Sequence, residues 1–126
     1  MDPVVLLFNI QGRRLRQIEL LAACLGIRAR AVAPGDCGRP VGSLCGLEGG
    51  EEAAQGPWSG FTEEMLVMAF FPEALMHRFL DGFRQAGLPS VRLKAVLTET
   101  NSRWNAGVLR GELLKEEAAF RAMKKP

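Results

Sequence analysis

The sequence has no tyrosine, one histidine (His77) and three cysteines, Cys24, Cys37 and Cys45. Each shortage removes a class of function. An odd cysteine count with no CxxC spacing supports neither a disulfide framework nor a redox or zinc site. It fits a reducing compartment, and Cys24, inside a helical apolar pattern, reads as core. A lone histidine beside Arg78, Asp81 and Arg84 sits on a polar helix face and reads as solvated rather than as a general acid or base. No GxGxxG occurs, and residues 35–42 (GDCGRPVG) lack both the spacing and the lysine of a phosphate-cradling loop. The acidic pairs Glu63-Glu64 and Glu116-Glu117 are adjacent in sequence, so their side chains diverge and cannot share a metal by spacing alone. No catalytic residue, metal or cofactor is therefore assigned.

Charge of one sign is also lacking. Sixteen basic residues stand against fourteen acidic ones, a net charge of +2, too balanced to argue for nucleic acid or an anionic membrane. The densest basic group, Arg13, Arg14, Arg16, Arg28 and Arg30, has no aromatic side chains interleaved for base stacking and reads as a solvated helix and strand edge. The longest apolar run near the start, residues 4–10, has no basic segment before it and falls far short of the ~20 residues a membrane span needs. Neither a signal peptide nor an anchor is expected, and the cytoplasm is the expected location.

What is present fits a single domain: 126 residues, 48% apolar and 24% charged, enough to bury a core unaided. Residues 4–10 form an apolar, partly β-branched strand. Leu15, Ile18, Ala22 and Leu25 then recur at helical spacing, with Leu21 beside them, and Gly26 ends that helix. Residues 27–33 alternate apolar and basic, as a half-exposed strand does. Residues 34–60, rich in glycine and proline, read as a flexible linker with one short helix at Val41, Leu44 and Leu47. Within it, residues 48–56 form an acidic loop. Trp58 and Phe61 read as a lid folded back on the core, with a partner or dimer surface as the alternative.

Residues 65–71 are a second wholly apolar strand, followed by Pro72 and Glu73 at a helix start. Met76, Phe79, Leu80 and Phe83 make the buried stripe, and Gly87 ends the helix. Residues 91–97 alternate again. Asn105 can cap a last helix, residues 105–124, with the apolar stripe Leu109, Leu113, Phe120 and Met123. The halves 4–33 and 65–97 thus repeat one β-α-β plan. The first and third strands are apolar on both faces, the habit of covered central strands, and the second and fourth alternate as edges. The expected fold is α/β: a small four-stranded, mostly parallel sheet of order 2-1-3-4 with helices on both faces. The alternative is a ferredoxin-like split β-α-β fold with an extra C-terminal helix.

The run Lys94-Ala95-Val96-Leu97-Thr98, then Thr100-Asn101 and Trp104, resembles the signature KAVLT-x-TN-x-x-W of an uncharacterised bacterial protein family of the domain-of-unknown-function 3783 type. The glutamate- and leucine-rich helix at residues 112–117 and the strand and helix over residues 65–87 also fit the family. Pro40-Val41-Gly42-Ser43-Leu44 matches the linker of its longer members. One departure is Asn105 where the family carries Thr or Ser, a conservative change for a helix cap. The resemblance implies a fold and no reaction.

In a parallel sheet, ligands sit beyond the carboxyl ends of the strands. That rule would gather Asn9, Gln11, Phe71, Pro72 and residues 98–101 on one rim, with Lys94 on the same strand face as Thr98. The candidate ligand- or partner-binding residues are therefore Lys94, Thr98, Asn101, Trp104 and Asn9. The competing structural reading has Thr98, Thr100 and Asn101 closing a turn on their own backbone, Trp104 pinning the last helix and Lys94 guarding an edge strand. The expected function is a non-catalytic binding or regulatory module for a protein partner or small anionic ligand. The alternative is an enzyme acting on a small phosphorylated or carboxylated substrate at the same edge. A homodimer is left open.

Overall fold

The computed structural model describes residues 1–47 and 60–124. The acidic stretch 48–56 and Trp58 lie outside the described residues. The chain divides into two compact units, residues 1–33 with 62–97, and residues 34–61 with 98–126.

The first unit holds the sheet. Its strands are β1 (Val4–Phe8), β2 (Arg28–Ala31), β3 (Met65–Ala69) and β4 (Leu93–Val96), in the order β2-β1-β3-β4. Helix α1 (Gly12–Cys24) joins β1 to β2, and α3 (Glu73–Gln85) joins β3 to β4. Between the halves runs the short helix α2 (Val41–Leu44), which belongs to the second unit. The architecture is α/β, with a mixed, mostly parallel sheet. Both β-α-β crossovers join neighbouring parallel strands, so the split arrangement of a ferredoxin-like sheet does not form.

The central pairing, β1 with β3, is antiparallel, with Val4 opposite Ala69 and Phe8 opposite Met65. This corrects the expected common rim. The carboxyl ends of β1 and β3 point to opposite edges of the sheet, so Asn9 and Phe70, the residues after those ends, lie far apart along the strand direction. The all-apolar character of the two strands is explained as expected. Every residue of both is buried.

The two halves repeat closely. Strands β1 and β3 start at residues 4 and 65, and helices α1 and α3, each thirteen residues long, start at 12 and 73. The offset is 61 in both cases. Two positive-φ pairs keep the same spacing: Asn9 (φ 61°) with Phe70 (φ 64°), and Gly26 (φ 73°) with Gly87 (φ 70°). The left-handed residue at 70 is why the third strand stops at Ala69 instead of running on to Phe71. At Asn9 the side chain supports the turn by donating from Nδ2 to the Glu63 carbonyl at 3.0 Å. A phenylalanine in this region costs on the order of 1–2 kcal/mol. Each glycine closes its helix in a Schellman turn, in which Ile27 N–H donates to the Ala22 carbonyl (2.9 Å) and Leu88 N–H to the Phe83 carbonyl (2.8 Å).

Helices α1 and α3 cover one face of the sheet. Val5, Leu7, Leu66 and Met68 from the central strands meet Ile18, Ala22, Phe79 and Phe83 there. Phe79 is wholly buried and makes edge-on contacts with Phe71 and Phe83 at ring separations of 5.8 and 5.3 Å. Burying a side chain of this size stabilises by roughly 1.5–3 kcal/mol. The expected α1 stripe forms, but Cys24 is exposed rather than core. It stands two residues past Ala22, about 200° around the helix. Arg14 ties this layer together. Its guanidinium grips both Glu64 oxygens at 2.8 Å and donates to the Pro89 carbonyl at 2.9 Å. The Glu64 hydrogen bond raises the Arg14 pKa above its ordinary value, against a smaller lowering by burial.

In the second unit, α4 (Ala106–Lys124) buries only Ala106 and Leu109. The expected stripe fails at its far end, where Phe120 is 59% and Met123 83% exposed.

Candidate functional site

The sequence-predicted residues fall into three local settings. Asn9 is the first, bonded to the Glu63 carbonyl at the edge where β3 begins.

The second is the loop after β4. Thr98 N–H donates to Asn101 Oδ1 at 2.8 Å, and Asn101 N–H donates to Thr98 Oγ1 at 3.0 Å. This is the reciprocal logic of a capping box, each side chain serving the other's backbone. It starts a short 3₁₀ turn at Asn101–Arg103. Asn101 is only 8% exposed. Trp104 is half-buried. Its carbonyl accepts Val41 N–H at 2.8 Å, which fastens α2 to the loop. Its side chain lines a shallow hollow of about 290 Å³ with Glu99, Thr100 and Arg103. Asn105 caps α4 as expected, accepting Val108 N–H at 2.9 Å. Thr98, Asn101 and Asn105 thus make local bonds that close the turn and cap α4.

Lys94 is the third setting. Opposite Leu66 in the ladder, it lies on the sheet face that α1 and α3 cover. Its Nζ donates to Ser90 Oγ at 2.8 Å and to the Val91 carbonyl at 3.1 Å, back toward the start of β4. It borders a groove of about 390 Å³ between α3 and β4, lined by Leu66, Leu80, Phe83, Arg84, Leu88, Ser90, Val91 and Lys94. The floor is apolar and the rim carries two basic side chains and a hydroxyl. Arg84 meets Asp81 through one nitrogen at 3.2 Å, so most of its five donors remain for a ligand. A groove of this volume with a few convergent polar groups has the form of a small-molecule site.

The repeat identifies what is special about this groove. The residue 61 before Arg84 is Ala23, and the strand residue matching Lys94 is Ala29, which pairs with Val5 as Lys94 pairs with Leu66. Strand β4 starts 65 residues after β2, at 93 and 28, so the turn before it is four residues longer. That extra stretch supplies Ser90 and Val91. The first half builds the same β-α-β unit with alanine at both basic positions, so the fold does not require Lys94 or Arg84. Neither Arg84 nor Ser90 stands out in the sequence alone. The longer second turn and the alanine-for-base differences are the signals that find them.

His77 lies on the exposed side of α3, 3.7 Å from Glu73, and does not line the groove. The five arginines do not share one surface. Arg28 and Arg30 pair with Val4 and Leu6 on the face away from the helices, Arg14 is held by Glu64, and Arg13 and Arg16 are exposed on α1. Burial, and then the charge of Asp36, pushes the Cys37 thiol pKa up. Among the described residues no three histidine, cysteine or acidic side chains converge as a metal site, and no helix is long and apolar enough to cross a membrane.

No curated protein and no solved structure matches the chain. Residues 64–120 match a family described as a domain of unknown function, DUF3783. That span begins at the entry to β3 and takes in α3, β4, the groove residues, the threonine–asparagine loop and most of α4. Over residues 64–120 the chain is similar to the DUF3783 family.

Proposed function

We infer that the protein is a small non-catalytic binding or regulatory module of the cytosol that takes an anionic ligand, or an acidic group of a protein partner, at the Lys94 end of the α3–β4 groove. One observation carries this reading. Lys94 Nζ is fixed by Ser90 Oγ and the Val91 carbonyl beside an apolar groove, at a position where the repeated half has alanine. Two of its three donors are engaged and the third remains for a ligand. A preset lysine loses little rotamer freedom on binding, which favours affinity. Against an enzymatic reading, neither His77 nor Cys24 borders the groove. Thr98 and Asn101, engaged with each other, contribute by shaping the loop.

The test is a ligand screen by two-dimensional amide NMR on the wild-type chain and Lys94→Ala. Expected are shifts at residues 66, 80–91 and 94 with anionic probes, weakened about tenfold or more in the variant, the range for losing one charge-assisted hydrogen bond. Equal binding by both proteins would remove Lys94 from the site.

A further inference from the structure

The geometry points to an amphipathic monoanion as the ligand, a linear hydrocarbon chain ending in a carboxylate, with the chain along the α3–β4 groove and the acid group between Lys94 and Arg84. This inference rests on the proposed binding role and narrows it to a chemical class.

Five of the eight lining residues, Leu66, Leu80, Phe83, Leu88 and Val91, carry only hydrocarbon side chains. A small hydrophilic anion would leave that surface wet and gain nothing from it, whereas an alkyl chain removes it from water. The polar groups are confined to Arg84, Ser90 and Lys94, and the two charged ones are basic. An apolar ligand without an acid would leave them without complementary charge. A concavity of about 390 Å³ has room for one chain-like group. The repeat supports the same view. In the first half, Leu80 is replaced by Glu19, Phe83 by Ala22 and Arg84 by Ala23, while Leu66 and Leu88 keep apolar counterparts in Val5 and Ile27, so the α3 side of the floor and the basic rim are particular to the second half. Lys94 and Arg84 are held by different elements, β4 and α3. Their joint placement is thus a property of the packed unit and not of a local motif.

Dodecanoate, dodecanol, acetate and inorganic phosphate are titrated below their aggregation limits into wild type, Lys94→Ala and Arg84→Ala by calorimetry, with amide NMR locating the site. Thermal melts establish that both variants are folded. The expected result is saturable binding of dodecanoate with shifts at residues 66, 80, 83, 88 and 91. Dodecanol should bind about tenfold or more weakly, acetate and phosphate should not bind measurably, and each variant should lose about tenfold for dodecanoate alone. Dodecanoate binding that ignores both substitutions, or that shifts residues away from the groove, overturns the assignment as non-specific adsorption. Lys94-dependent binding of phosphate with none of dodecanoate overturns the chain-and-acid class while leaving the anion-binding role standing. Failure of every anion to respond to Lys94→Ala removes both.

Discussion

At the scale of single residues, the same polar side chain can be read as a ligand group or as a brace, and the difference lies in where its hydrogen bonds already go. Asn101 and Thr98 answer each other's backbone at 2.8 and 3.0 Å, and Asn101 is buried. Replacing Asn101 by alanine leaves the Thr98 N–H without this acceptor and loosens the turn that α2 leans on. Asn101→Ala should therefore destabilise the fold by about 1–2 kcal/mol, the range for losing a capping side chain, read as a lower urea midpoint at unchanged slope. Lys94 is the opposite case. Its Nζ bonds a hydroxyl and a carbonyl at an exposed strand edge, so Lys94→Ala should shift the midpoint by less than about 0.5 kcal/mol, as exposed substitutions do. A ligand-binding defect in the lysine variant is then interpretable, whereas one in the asparagine variant is confounded by folding.

At the scale of elements, the periodicities of the chain mark every strand and helix to within a few residues, and the covered central pair and alternating edges are legible in the apolar runs 4–8 and 65–69. The direction of the central pairing is not. A strand apolar on both faces looks the same whether its neighbour runs with it or against it, and a long linker between the halves permits either. The groove is illegible for a different reason. A pattern-level match of the halves treats Ala23 and Arg84, or Ala29 and Lys94, as equivalent positions, and the site lies in their differences. Within the second unit, α2 touches the threonine–asparagine loop through a glycine whose lack of a side chain the contact requires. A Cβ built on Gly42 would stand 2.9 Å from Ser102 Cβ and 3.1 Å from the Ser102 carbonyl oxygen. The obstacle includes backbone, which cannot swing aside as a side-chain tip can. Gly42→Ala should cost about 1–3 kcal/mol by overpacking despite alanine's better helix propensity, measured as a lowered thermal midpoint. An unchanged or raised midpoint would show that α2 and the loop separate freely.

At the scale of the molecule, the 61-residue offset between the halves and the antiparallel meeting of β1 with β3 make the first unit two copies of one β-α-β motif arranged edge to edge about a local two-fold. The family match begins at residue 64, so it includes one copy and leaves the other outside. That copy cannot stand alone on these contacts. Strand β3 forms its inner edge, five buried residues (MLVMA) paired along their whole length with β1. With β1 gone, those backbone groups and the apolar faces of Met65, Leu66, Val67 and Met68 would meet water, and an exposed flat apolar edge recruits another strand. Residues 62–126 expressed alone should therefore not persist as a folded monomer. Size-exclusion chromatography with light scattering should find them paired, β3 against β3 in place of β1, or aggregated, and adding residues 1–47 should compete for the same edge. A monomeric fragment with a cooperative melt would mean that β3 can be satisfied without its antiparallel partner, and the two-copy reading of the sheet would have to be given up.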